Sequence, residues 1–263
     1  MAGPAGMFTG LASGVLALIV AGMGQPAGPG REARKDGEKP SEKAAERTER
    51  HPLITEILYA VAPGAAGDAN GDGVRDVNGD EFIELVNVHD APIQLGGYVL
   101  ADRALEKDGK AYTSLRFRFP AVELKPGQVA VVFNGHGAKW TGPVGTAKAA
   151  PEGGNGKFGG ALVFTMGVDS SRVGLANKGD CVQLIAPDGA VVHCVWWGDA
   201  EAVAGAKRKE EAPLVSRGSV ERETAEGPLL GQDSFTPGVW KGKAGSKEGE
   251  EPERAADAVK EEK

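Results

Sequence analysis

Between residues 51 and 240 the apolar positions come in short alternating runs, each broken by Gly, Pro, Asn or Asp. The runs fall at 53–59, 81–88, 97–102, 114–119, 128–134, 162–166, 181–186 and 191–197. A period of two over such lengths marks strands, because successive side chains point to opposite faces. Punctuation between the runs supports this. Asp90-Ala91-Pro92 breaks the chain after the second run, and Lys125-Pro126-Gly127 sets Pro before Gly as a type II turn wants. Helical periodicity is confined to 199–211, enough for one or two turns. The pattern predicts an all-β, antiparallel sandwich or barrel.

Composition narrows where that body lies. Residues 31–50 and 241–263 are Lys, Arg, Glu, Gly and Ala almost throughout, too poor in apolar surface to offset their ordering entropy. They are expected to be disordered tails, with a charged linker at 28–50, a β-sandwich at 51–240 and a charged tail at 241–263. The two tails carry 13 basic and 13 acidic residues, so the net charge of −7 resides in 51–240. An acidic body argues against a phosphate-backbone partner, which needs a basic stripe. Lys207-Arg208-Lys209, followed by Glu210-Glu211, reads as a solvated loop.

The apolar run at 7–23 is short, diluted by Gly and Ala, and followed by small residues. It reads as a secretory signal within 1–27, with an uncleaved anchor as the alternative, although no Lys or Arg precedes it. Export, to the extracellular space, cell surface or periplasm, is the expectation; membrane contact would come only through this run. Two cysteines, Cys181 and Cys194, suit an exported chain. In the turn between them, Pro187 excludes type I′ and favours a type I turn with Gly189 as its bulge. That register pairs Ala186 with Ala190, Val182 with Cys194 and Cys181 with Val195. The thiols then face opposite sides of the sheet, and no disulfide is expected.

An ordered set of blocks carries a family resemblance. It begins with Leu53-Ile54-Thr55-Glu56-Ile57, then an Asp/Asn loop running into Glu81-Phe82-Ile83-Glu84-Leu85-Val86-Asn87. Leu95-Gly96-Gly97-Tyr98, Leu124-Lys125-Pro126-Gly127, Asn177-Lys178-Gly179-Asp180 and Asp188-Gly189 follow, and Thr236-Pro237-Gly238 closes. In this order they resemble the bacterial lamin-tail domain, also found in nuclear lamins. The resemblance implies an immunoglobulin-like β-sandwich with a structural or binding role, not a catalyst, whose partner is a protein or a cell-surface polymer. The glycine-rich insertion at 135–160 departs from the pattern and reads as a mobile loop.

Candidate chemistry concentrates at 67–81. Asp68, Asn70 and Asp72 alternate with small residues and Gly73 follows, like the front half of a Ca²⁺ loop. In that frame the metal ligands are Asp68, Asn70, Asp72, the Val74 carbonyl and Asp76. The twelfth position is Gly79, so Asp80, one residue late, is expected to close the loop around a Ca²⁺ ion. A second frame, Asp76-Asn78-Asp80, overlaps the first. The competing reading is a metal-dependent hydrolase of phosphoesters using Asp72, Asp76, Asp80 and Glu84. If Tyr59 pairs with Glu81, Glu56 falls opposite Glu84, and the two are expected on a solvated outer face. The four histidines are scattered, and no nucleophile elbow or phosphate loop occurs. Trp196 and Trp197 adjoin on one strand, so one should be a core anchor and the other packs beneath 199–211 or touches a partner.

Overall fold

The computed structural model describes residues 50–107 and 110–242, with the side chains of 105–112 outside the description. The leader, most of the linker and nearly all of the C-terminal tail expected from the sequence lie outside the described residues. No described helix is long and apolar enough to cross a membrane.

The strands, in chain order, begin with β1 (Leu53–Ala60), β2 (Phe82–Val86), β3 (Ile93–Gln94), β4 (Val99–Ala101) and β5 (Leu105–Lys107). Then come β6 (Lys110–Tyr112), β7 (Arg116–Arg118), β8 (Glu123–Leu124), β9 (Val129–Phe133) and β10 (Leu162–Thr165). The last are β11 (Gly179–Ile185), β12 (Val191–Gly198), β13 (Arg208–Glu211), β14 (Gly218–Arg222) and β15 (Leu229–Gly231). One sheet has the order β10-β9-β2-β1-β14-β15, the other β13-β12-β11-β4-β7; β3–β8 and β5–β6 are small separate pairs. The pairing is antiparallel except at β9–β10 and β12–β13. This is an immunoglobulin-like β-sandwich.

The main core lies between the sheets. Ile57, Tyr59, Ile83, Leu85, Ala130 and Val132 meet Leu100, Phe117, Val182, Leu184, Val195 and Trp197. At its centre the Tyr59 and Trp197 rings stack at 4.2 Å and 7°, while the Tyr59 hydroxyl donates to Pro213 O and accepts from Val215 N. Trp197 is therefore the core anchor, and Trp196 packs with Val203 and Ala206, as expected from their alternation.

The first sheet is buried on its outer face as well. Leu58, Phe82, Val86, Val129, Val131, Phe133 and Val163 form a second core with Phe158, Ala161, Trp140, Phe235 and Trp240. Strands covered on both sides read as nearly continuous apolar runs, which explains 82–86 and 129–133. The insertion at 135–160 is half of this cover, not a free excursion. Phe158 is buried against Phe133, at 5.4 Å between rings, and the Asn155 side chain holds the carbonyls of Thr141 and Pro143.

Two sequence expectations fail here. The 199–211 stretch is not helical; its end is β13, laid parallel to β12, so Arg208 is an edge-strand residue and not part of a solvated loop. The β11–β12 turn forms as expected, with Ala186 N donating to Ala190 O, but a bulge between Leu184 and Ile185 shifts the register by one. Cys181 then pairs with Trp196 and Cys194 with Gln183. A one-residue slip flips every side chain, so both thiols lie on one face.

Candidate functional site

The acidic segment leaves β1 through a short 3-10 turn at Gly64–Gly67 and folds on itself before β2. Its carboxylates are organised by backbone amides. Asp68 accepts from the amides of Asp72 at 3.1 Å and Gly73 at 2.8 Å. Asn70 Oδ1 accepts from Asp72 N at 2.9 Å, and Asp72 Oδ1 from Val74 N at 2.8 Å. These successive Asx turns need a left-handed residue at the sixth position of the frame, and Gly73 supplies it at φ +89°. Asp80, fully buried, ties the two halves together by accepting from Asn70 N at 2.9 Å and Asp76 N at 2.7 Å. Burial pushes its carboxyl upward.

The loop is also anchored outward. Asp72 Oδ2 accepts from Lys139 N, Lys157 Nζ donates to Gly71 O, and Arg75 reaches the carbonyls of Val61 and Ala62. Asp76 Oδ2 lies 2.9 Å from His136 Nδ1. Burial works to raise the Asp76 carboxyl, but the amides of Gly79 and Asn78 and the His136 ring outweigh it and hold it below the usual range. The insertion thus braces the loop through three residues, a partnership that no local sequence signal announces.

Of the expected ligands, Asp68, Asn70 and Asp72 converge on one turn, Asp80 sits at the base of the loop, and Val74 is at the exposed tip. Among the described residues no three His, Cys, Asp or Glu side chains converge as a metal-binding group. The Asp68, Asn70 and Asp72 side-chain oxygens are instead occupied by backbone amides of the loop and of Lys139. Glu84, the fourth member of the hydrolase set, is not brought to this loop; its partners are Thr55 and Gly238.

Glu84 belongs instead to a row across three strands of the first sheet. It lies opposite Glu56 on β1, which lies opposite Glu221 on β14. The Glu56–Glu84 pairing is as expected, but the solvated face is not. Glu56 and Glu84 are 0% and 1% exposed, because the C-terminal segment 234–240 crosses over them. Thr236 N donates to Glu56 Oε1 at 3.1 Å, Thr236 Oγ1 reaches Glu221 Oε1 at 3.3 Å, and Gly238 N donates to Glu84 Oε2 at 2.9 Å. Thr55, the extra residue of a bulge in β1, donates to Glu84 Oε1 at 2.7 Å. Burial, then the neighbouring Glu84 charge, pushes Glu56 up to about 8; burial raises Glu84 to about 7.

A third polar cluster closes one edge of the sandwich. The fully buried Arg222 on β14 ion-pairs Glu210 on β13 and donates to Ile54 O at 2.9 Å and Gly227 O at 2.7 Å. His193 Nδ1 accepts from Ile54 N at 3.2 Å, so its ring proton is assigned to Nε2, which lies 3.3 Å from Glu210 Oε2 in a contact too poorly directed for a hydrogen bond. Burial opposes the Glu210 charge, but His193 and Arg222 overcome it and hold the carboxyl far below its usual range. This cluster joins the two sheets. The sequence hides it, because β14 reads Gly-Ser-Val-Glu-Arg with one apolar residue and Glu210 sits in a charge run.

Cys181 and Cys194 are buried free thiols beneath Val203 and Ala206. The hydrogen bond between them, and then burial, pushes Cys181 up. They are diagonal neighbours on one face of the β11–β12 pair. The expected opposite orientation of the two thiols is therefore not found, although both are free.

Buried polar clusters thus brace the loops, strap and sheets of an immunoglobulin-like sandwich. A family model described as Lamin Tail Domain matches residues 47–199. That is more than half of the chain, which belongs to the lamin tail domain family, a family of binding and structural domains. No curated protein matches the chain. The match stops short of β13, β14, β15 and the strap at 234–240, yet β14 pairs directly with β1 and completes the first sheet.

Proposed function

We propose that the protein is an exported, non-catalytic structural or binding module, acting outside the cell, at its surface or in the periplasm. Its partner would be a protein or a cell-surface polymer. A Ca²⁺ ion held by Asp68, Asn70, Asp72 and the Val74 carbonyl, with Asp76 and Asp80 supporting the loop, would rigidify the β1–β2 connection. The observation that carries this reading is the use made of the carboxylates. Asp68, Asp72, Asp76 and Asp80 each accept at least two hydrogen bonds, mostly from backbone amides, which orders a loop instead of leaving a base or nucleophile poised. The ion's contribution would be neutralisation of clustered negative charge between two strands.

Thermal unfolding of the full chain with Ca²⁺ and with chelator tests the ion. A ligand binding only the folded state stabilises by about 2.7 kcal/mol at a hundredfold excess over Kd, which raises Tm by roughly 5–10 °C for a body of this size. An unchanged Tm at millimolar Ca²⁺ removes the ion from the reading. Metal-dependent turnover of a simple phosphodiester, lost in Asp72→Asn, would remove the non-catalytic part.

A further inference from the structure

We propose that the segment 234–240 is a proton-controlled latch: it stays seated on the first sheet while Glu56 and Glu84, in register with Glu221, hold protons, and is released when the two ionise, with the sandwich still folded. This goes beyond the binding-module reading and does not depend on the Ca²⁺ loop.

The geometry sets up the conflict. The three carboxyl groups are register neighbours on adjacent strands, where directly opposed like charges destabilise the pair. Two carboxyl groups sharing a site cannot ionise together without cost, so the first charge holds a proton on the next. What the strap brings to the row is limited to two backbone amides, Thr236 N and Gly238 N, and the Thr236 hydroxyl. They are spread over the three carboxyls and bring no positive charge to offset the opposed acids.

Beyond the strap, the Thr55 hydroxyl donates to Glu84 and the Ser219 side chain bonds Glu56, but neither brings a positive charge. β9 and β15 bring apolar residues, Val131 and Leu230, to the two ends of the row. The strap itself, residues 234–240, contains no ionisable side chain. Arg222, next to Glu221, points the other way, into the cluster with Glu210. Asp233 is engaged with Arg217 at the surface, and Lys241 follows the strap. Among the described residues no ion pair includes Glu56, Glu84 or Glu221.

When the protons leave to solvent, water must reach the row, and the strap is the side that can open. The strands beneath are held by ladders, whereas the strap hangs on the bonds above, on Ser219 against Ser234 O at 2.9 Å, and on Phe235 and Trp240 at the rim of the second core. It is also closely fitted: Gly238, at φ +87°, lies so near Phe158 that an added Cβ would come within 2.2 Å of its carbonyl oxygen. A small displacement therefore breaks its contacts together and does not stretch them one by one.

The test is a pH titration of the ¹⁵N-labelled full chain by NMR. The amides of Thr236 and Gly238 and the Trp240 indole report the strap, and the Trp197 indole, which donates to Ala176 O, reports the core. Between about pH 6 and 9 strap protection should fall about tenfold or more after correction for base-catalysed exchange, while Trp197 holds. In Glu56→Gln/Glu84→Gln the strap signals should stay in place at the alkaline end. Strap protection unchanged in the wild-type chain, or lost only together with Trp197, overturns the latch, and the wild-type titration decides this even if the variant does not fold. An unaltered titration in a folded variant overturns it too.

Discussion

Asp80 illustrates how much one buried carboxylate can organise. It holds the amides of Asn70 and Asp76, residues that would otherwise leave two buried or half-buried donors without acceptors. Hydrogen bonds to a charged group contribute about 1.5–3 kcal/mol each, and orphaned donors add their desolvation cost. Asp80→Ala is therefore expected to lower stability by roughly 3 kcal/mol in urea unfolding, while Val74→Ala at the exposed tip should change it by less than about 0.5 kcal/mol. Equal effects would mean the loop is not built around Asp80. The run of turns at 68–76 is legible from residue spacing, because Asx turns are local. The anchoring by His136, Lys139 and Lys157 is not, since those partners lie some 60 or more residues away in the chain.

At the scale of elements, the deciding events are bulges and edges. The bulge at Thr55 lets Ile54 face the main core while Glu56 and Leu58 face the second one. The bulge beyond the β11–β12 turn does the same for Cys181 and Cys194, and period-two reasoning cannot detect an extra residue before the partner strand is known. β13 and β14 are joined by the Arg222–Glu210 pair. Breaking a buried pair by removing one partner costs about 3–5 kcal/mol, whereas replacing both can be close to neutral. Glu210→Gln alone should be severely destabilising, and Glu210→Gln with Arg222→Met should recover part of the loss. A double variant no more stable than the single one would show that the other bonds of Arg222, to Ile54 O and Gly227 O, dominate.

For the whole molecule, the buried acids give stability a pH profile with a definite sign. Glu56 and Glu84, raised to about 8 and 7, and Glu81, raised by burial, bind protons more tightly folded than unfolded. Their contribution is complete below the unfolded value and is lost as pH rises through those folded values. Glu210 and Asp76 are depressed, so their contribution is present above the unfolded value and is lost as pH falls. Tm measured across pH should peak near about 5–6 and decline toward 9, and Glu56→Gln should flatten the alkaline limb. A Tm that climbs steadily from about pH 5 to 9 would contradict the buried row.

The alternating pattern, the turns at Pro126-Gly127 and Pro187-Gly189 and the acidic frame at 68–80 were enough to determine an all-β sandwich or barrel with one polar loop, and the ordered family blocks chose the sandwich. Pattern, turns and frame each depend on residues close together in the chain, where side-chain direction and φ preference act alone. The tertiary structure decided what covers the first sheet, which is why Glu56 and Glu84 are buried under 234–240 and not solvated. It also decided that Arg222 meets Glu210 and that both thiols share a face. Burial and register come from partners tens to well over a hundred residues distant, and no local propensity encodes which strand or strap will arrive there.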